Sequence, residues 1–354
     1  MRKPTLSRRD VLKASTAVAA SGLLARVASA APPASAVTPQ LIEAAKKEGK
    51  VVYYTSVDLP LAEKVAKAFE ARYPGIAVRV ERSGAERVFQ RIGQEYASRI
   101  YGVDVVNSSD AAHFIVWKRD GLLAPFVPAD VAKHYPAEHK DPDGMFASFR
   151  VSLSAVAYNT DLVKREEAPT SFADLLDPKW TGKIVKAHPG YSGTILTATF
   201  QIVRELGWEY LEKLAKQKVM QVQSATDPPK KLALGERAIM ADGGEYNLFQ
   251  IKETGGPVEL VYPTEGIPTV VGPNAVFKNA PNPNAARLFQ CYCFTPECQQ
   301  LIVDFGALRS MHPLVKDKAG RKPFRDIKTM KEDPAGVERT SEEIKARYSK
   351  LFGV

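Results

Sequence analysis

The sequence predicts an α/β fold divided into two lobes. Three observations carry that expectation. Short apolar runs alternate with amphipathic segments at helical spacing along most of the chain, a Pro/Asp/Gly-rich stretch at 125–144 interrupts the alternation, and a late apolar run at 269–277 is placed to return the chain to its first half. Such alternation favours mostly parallel sheets flanked by helices, because parallel neighbours need a crossover connection between them.

Taken in order, a short amphipathic segment at 39–48 precedes a strand at 51–54, which breaks at Thr55-Ser56. Leu61, Val65, Ala68 and Phe69 recur at helical spacing over 61–71, and Tyr73-Pro74-Gly75 ends that helix. A strand at 77–81, a helix at 86–101, a strand at 103–106 and a helix at 111–119 follow. Beyond the interruption the expected strands are 152–158, 183–187, 220–224, 238–241 and 258–262, with helices at 194–206, 209–216 and 229–234. The returning strand 269–277 leads to helices at 285–294 and 297–305, and a last helix spans 341–351. The expected division is residues 38–148 with 273–325 for the first lobe, 149–272 for the second, and 326–354 as a C-terminal helical extension. In open α/β sheets ligands lie outside the carboxyl ends of the strands. Three polar strand ends therefore become candidates: Thr55-Ser56, Arg82-Ser83-Gly84 and Asn107-Ser108-Ser109.

Residues 1–30 carry an address. Ser7-Arg8-Arg9-Asp10-Val11-Leu12-Lys13 precedes an apolar run from Ala14 to Leu24, and Ala28-Ser29-Ala30 supplies small residues for cleavage. That order is the arrangement of a twin-arginine export signal, and the apolar run is too short to anchor in a bilayer. The expected working protein is periplasmic, cut near Ala30. The segment holds six Lys/Arg and one Asp, five of the formal nine positive charges, so the remainder is mildly basic. Such a balance permits an anionic small ligand and falls short of a nucleic-acid footprint, since no Lys/Arg cluster interleaves with aromatics. The three cysteines, Cys291, Cys293 and Cys298, read as small buried apolar residues, as a disulfide plus an odd thiol, or as metal ligands; no histidine stands near them at zinc spacing. Thr295-Pro296-Glu297 resembles a helix N-cap followed by proline at the first turn.

Several stretches together resemble the extracellular solute-binding proteins of bacterial ABC importers, in particular the ferric-ion-binding subfamily and its relatives that take organic anions. They are Phe69-Glu70-Ala71-Arg72-Tyr73-Pro74-Gly75, Asp104-Val105-Val106, Gly121-Leu122-Leu123-Ala124-Pro125, Ala157-Tyr158-Asn159-Thr160, the block from Phe172 through Asp177-Pro178-Lys179-Trp180-Thr181-Gly182 to Lys183, and Tyr191-Ser192-Gly193-Thr194. The resemblance spans nearly all of 45–312, and the Phe172 to Lys183 block is its most specific part. It implies a two-lobed periplasmic-binding-protein fold of the second topological type, hinged by crossing strands. It also implies a monomer that captures a solute in the cleft and delivers it to a permease driven by a cytoplasmic ATPase.

The same resemblance bears on the solute. Iron-binding relatives hold Fe(III) with a His or Tyr after the first strand, often a Glu after the third, and two adjacent tyrosines in the second lobe. Here those places carry Asp58, Ser108-Ser109 and Glu245-Tyr246, so most of the metal set is missing, although Tyr246, Glu245 and Asp58 remain an alternative oxygen site. Small hydroxyls suit an organic anion better: Thr55, Ser56, Ser108 and Ser109 can donate to carboxylate or phosphoryl oxygens. Ser192, Gly193 and Thr194 run into a helix N-terminus, where free N–H groups and the dipole favour negative charge; ordinary capping by Ser192 or Thr194 is the plainer reading. Arg82 or Arg150 can supply a bidentate cation, although a surface or interlobe arginine is the plainer reading of each. Tyr158 and Tyr246 are expected as cleft walls, and Asp242 and Glu245 as acceptors for an amino or hydroxyl group of the ligand. Glu265-Gly266 lies at the second crossing.

No cofactor, resident metal or catalytic residue is expected. The stretch around Ser192 fails the nucleophile-elbow pattern because Thr194 stands where the last glycine belongs. His113, His134, His139, His188 and His312 are scattered without metal-ligand spacing. A periplasmic sensor whose closed form docks on a receptor is the remaining alternative to import.

Overall fold

The computed structural model describes residues 31–354; the export-signal reading of 1–30 lies outside the described residues. Ten strands form two sheets: β1 Lys50–Thr55, β2 Ala77–Arg82, β3 Val105–Asn107, β4 Ala147–Leu153, β5 Val156–Asn159, β6 Ile184–Ala187, β7 Met220–Val222, β8 Ile239–Met240, β9 Val258–Val261 and β10 Thr269–Val276. The first sheet has the order β2-β1-β3-β10-β4 and the second β7-β6-β8-β5-β9. Each sheet is mixed, not mostly parallel. In the first, β1 runs parallel to β2 and β3 while β10 is antiparallel to β3 and β4. In the second, β6 is parallel to β7 and β8 while β5 is antiparallel to β8 and β9. The crossover helices impose the parallel pairs, whereas the strands arriving from the other sheet enter against them.

The run 152–158 is not one strand. It breaks at Ser154-Ala155, where the Ser154 N–H donates to Pro268 O at 3.0 Å and the Ala155 N–H to Gly243 O at 2.8 Å. The half before the break belongs to the first sheet and the half after it to the second, so the chain changes sheets at 154–155, several residues beyond 148/149. It returns between β9 and β10. The two helices expected at 194–206 and 209–216 lie within Gly193–Ala215, parted at Gly207, whose backbone is not helical (φ 75°, ψ 165°), a conformation only glycine adopts easily.

Each sheet has its own core. Under the first, Phe69 meets Phe289 edge-on at 5.1 Å and Tyr53 meets Phe289 at 5.1 Å, which seats the helix Pro283–Cys293 beneath β1. Under the second, Phe172, Trp180, Ile184, Leu211 and Ile239 pack together, so the Phe172 to Lys183 block is a core element. All three cysteines are free and buried. Thr295 caps the helix Pro296–Asp304 by accepting from the Cys298 N–H. The C-terminal helix, Pro334–Phe352, crosses both lobes: Val337 and Ile344 pack with Ala112 and Leu196, while Tyr348 is buried in the second core. Among the described residues no helix is long and apolar enough to span a membrane.

Candidate ligand-binding site

The carboxyl ends of β1 and β3 lie side by side, with Thr55 opposite Asn107, and the chain leaves both through hydroxyl residues. Thr55 is buried, and its Oγ1 accepts from the Val57 N–H at 3.1 Å, a local turn bond that holds the loop. Ser56 is better placed: its Oγ accepts from the Ser109 N–H at 2.9 Å and from Arg150 Nη2 at 3.3 Å. Ser56 and Ser109 thus meet at one point, with Arg150 reaching it from β4.

Arg150 is the dominant charge of this region. Its Nε donates to Asn107 Oδ1 at 3.0 Å, while Asn107 Nδ2 donates to the Gly272 and Pro273 carbonyls at 3.1 and 2.9 Å. The asparagine therefore ties the arginine to the returning strand. Gly272 stands opposite on β10, where an added Cβ would lie 3.0 Å from both Cγ and Nε of Arg150, so only glycine lets the side chain lie flat across the strand. The arginine is 3% exposed. Among the described residues no carboxylate forms an ion pair with it. Burial lowers its pKa from the ordinary value, with Arg82 acting in the same sense and the neighbouring Tyr246 and Tyr53 acting against it.

Tyr246, near the start of the helix Glu245–Glu253, faces this cluster from the second lobe. Burial raises its pKa despite the nearby Arg150 and Arg82, so its phenol is neutral around pH 7 and can donate a hydrogen bond. Arg82, at the end of β2, is half-buried and donates from Nε to Val57 O at 3.2 Å. Asp58 lies close enough to influence Tyr246 and makes no ion pair among the described residues.

At the 192–194 turn the second lobe touches the first. Ser192 is the N-cap of Gly193–Ala215, its Oγ accepting from the Ile195 N–H at 3.4 Å, which is the plainer of its two expected roles. A Cβ on Gly193 would lie 2.6 Å from Asp110 Cβ and 3.0 Å from Ala85 Cβ, and one on Gly84 would lie 3.0 Å from Tyr191 O. Gly193 and the buried Thr194 thus abut the first lobe beside Ser109 and Ser83-Gly84. Ser108 turns the other way. Its Oγ is 3.3 Å from His113 Nδ1, and the His113 Nε2 is 3.1 Å from Glu86 Oε1. Lys345 of the C-terminal helix completes that network at 2.8 Å from Glu86 Oε2. Burial opposes the charge on Glu86, but His113 and Lys345 outweigh it and hold the carboxyl at about 2.

Three expected ligand residues lie elsewhere. Tyr158 pairs with Ile239 and Glu259 at the end of β5 remote from the strand ends of β6 and β8, because β5 runs antiparallel to β8. It is packed in the second core. Asp242 is 1% exposed and bound to Lys186 Nζ at 2.7 Å, so its charge is already met inside the lobe. Glu245 accepts from Arg309 Nη2 at 2.8 Å, Arg321 Nη2 at 2.9 Å and the Tyr262 hydroxyl at 2.9 Å. Two guanidinium groups and a phenol leave it no capacity for a ligand. Glu265, near the second crossing, caps the 172–176 turn instead, accepting from the Ala173 N–H at 3.2 Å. Asn107 was legible as the first residue of a polar strand end. Its role as the holder of Arg150 depends on a partner 43 residues away.

A family model of bacterial extracellular solute-binding proteins matches residues 103–329. An uncharacterized protein of Haemophilus influenzae is 26% identical over 271 residues, 73% of this chain and 76% of that one. The periplasmic binding protein AfuA from Actinobacillus pleuropneumoniae, with fructose-6-phosphate bound, superposes with a TM-score of 0.79 at 23% identity, covering 86% of this chain and 99% of that one. Iron-bound HitA from Pseudomonas aeruginosa superposes with a TM-score of 0.74 at 24% identity, over the same shares. At these identities the structural likeness establishes the fold.

Proposed function

This chain belongs to the family of bacterial extracellular solute-binding proteins, the ligand-capturing components of ABC importers, and we propose that its solute is a small organic anion: a carboxylate, a phosphonate or a phosphate ester. The family places such a protein outside the inner membrane, where it serves a permease and its ATPase. The observation that carries the ligand class is Arg150, a buried guanidinium held by Asn107 and Ser56 without a carboxylate ion pair among the described residues. A buried cation is costly to leave unneutralised. An anionic ligand would supply the missing charge through the bidentate geometry that arginine offers.

The remaining groups suit the same ligand. The Ser56 hydroxyl, Arg82 and the Tyr246 hydroxyl offer donors around Arg150, and Asp58 can accept from a hydroxyl or ammonium elsewhere on the solute. The Ser192 to Thr194 turn would close the site from the second lobe, with its helix N-terminus turned toward negative charge. Closure follows from the ligand bridging both lobes, since a solute shifts the hinge only by its differential affinity for the closed form. The sugar phosphate in AfuA is a ligand of this chemical class.

Ferric iron is the second reading, suggested by HitA, and the local charges oppose it. Glu245 is engaged by two arginines, Tyr246 has no tyrosine beside it, and Arg150 and Arg82 add positive charge where a trivalent cation would sit.

A thermal-shift screen of the chain from Ala31 onward against carboxylates, phosphonates, phosphate esters and ferric citrate tests the reading. The expected result is stabilisation by an organic anion, recovered chemically unchanged after stoichiometric binding. Stabilisation by ferric iron alone, with a tyrosinate charge-transfer band, overturns it.

A further inference from the structure

We propose that Asp130, His134 and His312 form a site for a divalent transition-metal ion of the zinc class, distinct from the anion cleft. None of the three shares a hydrogen bond with the Arg150 cluster. Asp130 and His134 stand four residues apart on the helix Ala129–His134 and so share one face of it. The fold brings His312 to that face from the loop after the helix Pro296–Asp304. One ligand atom from each residue lies within 4.8 Å of the other two.

The arrangement is unexplained without a ligand. The His312 side chain is fully buried, and its Nε2 has no hydrogen-bond partner among the described residues. Its nearest carboxylate oxygen, Asp130 Oδ1, is 3.9 Å away, beyond hydrogen-bond reach. The His134 and His312 rings approach to 4.9 Å between centroids at 45°, so neither ring stacks flat nor bonds to the other. A buried polar nitrogen with no partner is costly. Bonds of roughly 2.0–2.2 Å from an imidazole nitrogen or a carboxylate oxygen would draw these atoms together with small side-chain adjustments.

Two imidazoles and one carboxylate are a donor set suited to zinc and its borderline neighbours, and less so to calcium or magnesium, which prefer oxygen throughout. Asp130 and His134 are only half-buried, which leaves a side open for a water as fourth ligand. Coordination through His312 Nε2 puts the ring proton on Nδ1. Nδ1 then no longer accepts from the Leu314 N–H, so that long 3.3 Å bond is given up and the two donors turn apart as the metal bond forms at Nε2. The other grouping of this kind, Glu86, Asp110 and His113, differs in the decisive respect: the Lys345 ammonium already sits 2.8 Å from Glu86, so a cation is in place. A bound ion would clamp the Ala129–His134 helix to the segment that leads into the C-terminal extension.

The test uses the chain from Ala31 onward, without a polyhistidine tag and stripped with chelator. Zinc sulfate is titrated by calorimetry, and cobalt(II) is added as a spectroscopic probe. One equivalent of zinc binding in the micromolar range or tighter, and cobalt d–d bands of a low-coordinate nitrogen/oxygen site, are expected. Because His312 is buried and its replacement can disturb folding, the deciding variants are the half-buried His134→Gln and Asp130→Asn. Each should weaken zinc binding by about tenfold or more while leaving the unfolding transition of the metal-free protein in place. Zinc affinity unchanged in both variants, or no zinc binding by the parent chain, overturns the proposal. Anion binding in the cleft is measured in parallel, so loss of one site is distinguishable from loss of the other.

Discussion

Replacing Arg150 with methionine should move stability and affinity in opposite directions. The guanidinium is 3% exposed and satisfied by two neutral acceptors, Asn107 Oδ1 at 3.0 Å and Ser56 Oγ at 3.3 Å, with no carboxylate ion pair among the described residues. Burying an ion costs several kcal/mol, and unpaired charge recovers little of it. Methionine keeps much of the side-chain volume and removes the charge, while leaving Asn107 Oδ1 without its donor at about 1–3 kcal/mol. The net gain for the unliganded protein should be about 1–3 kcal/mol. Against the ligand the effect reverses. Losing the cation from a buried, hydrogen-bonded charge pair costs about 2–5 kcal/mol, or roughly thirtyfold to several thousandfold in Kd. Urea unfolding of the unliganded protein and calorimetric titration with the most stabilising anion of the screen measure the two halves. Arg150→Lys should retain stability near the parent but lose affinity, because an ammonium cannot present two parallel donors. A methionine variant that is less stable than the parent and binds the anion equally well would refute the reasoning, since Arg150 would then be a structural residue.

Three further outcomes are expected. Lys186→Met should destabilise the second lobe by about 3–5 kcal/mol, because it strands Asp242, whose partner is 2.7 Å away and equally buried; in denaturant unfolding the double variant with Asp242→Leu should recover much of the loss. Gly193→Ala inserts a methyl 2.6 Å from Asp110 Cβ and 3.0 Å from Ala85 Cβ, so the lobes cannot meet as they do here; anion affinity should fall while the unliganded unfolding transition stays close to the parent's, and a larger scattering radius in the presence of anion would report the failed closure. Burial pushes the Glu332 carboxyl up to about 8, with the charge of Asp110 adding to it and the Val271 N–H bond opposing it. A folded-state value above the unfolded one means that its contribution is fully present below about pH 4.5 and is lost as pH rises towards 8. Glu332→Gln should remove that slope and be the more stable form at pH 9; identical pH profiles for the two proteins would rule this account out.

The legibility of the fold was uneven for a physical reason. Strand-helix alternation is a local pattern, and it located β1, β2, β3 and the helices between them because each buries one face against its immediate neighbours. The same pattern ran through Ser154-Ala155 without a mark. Leu153 and Val156 are both fully buried, but in different sheets, and alternation records burial without recording against what. Asp242 and Glu245 failed as ligand candidates for a related reason. An acidic residue after a strand reads the same whether it faces solvent, a solute or a buried cation. Their partners Lys186, Arg309 and Arg321 lie 56, 64 and 76 residues away in the chain. His134 and His312 stand 178 residues apart, and no spacing rule joins them.

By itself the sequence determined the α/β class, the family resemblance with its Phe172 to Lys183 block, and the hydroxyl-rich ends of β1 and β3, because these follow from residue type and short-range periodicity. Only the tertiary structure decided which charges remain available. It joined Asp242 to Lys186 and Glu245 to two arginines, turned Ser108 toward His113, and left Arg150 beside Ser56, Asn107 and Tyr246 without an ion-pairing carboxylate among the described residues. Electrostatic pairing acts over a few ångströms of space regardless of distance along the chain, so the hydroxyls could point to an anion, but which cation stands ready to meet it emerged only after folding had brought the pairs together.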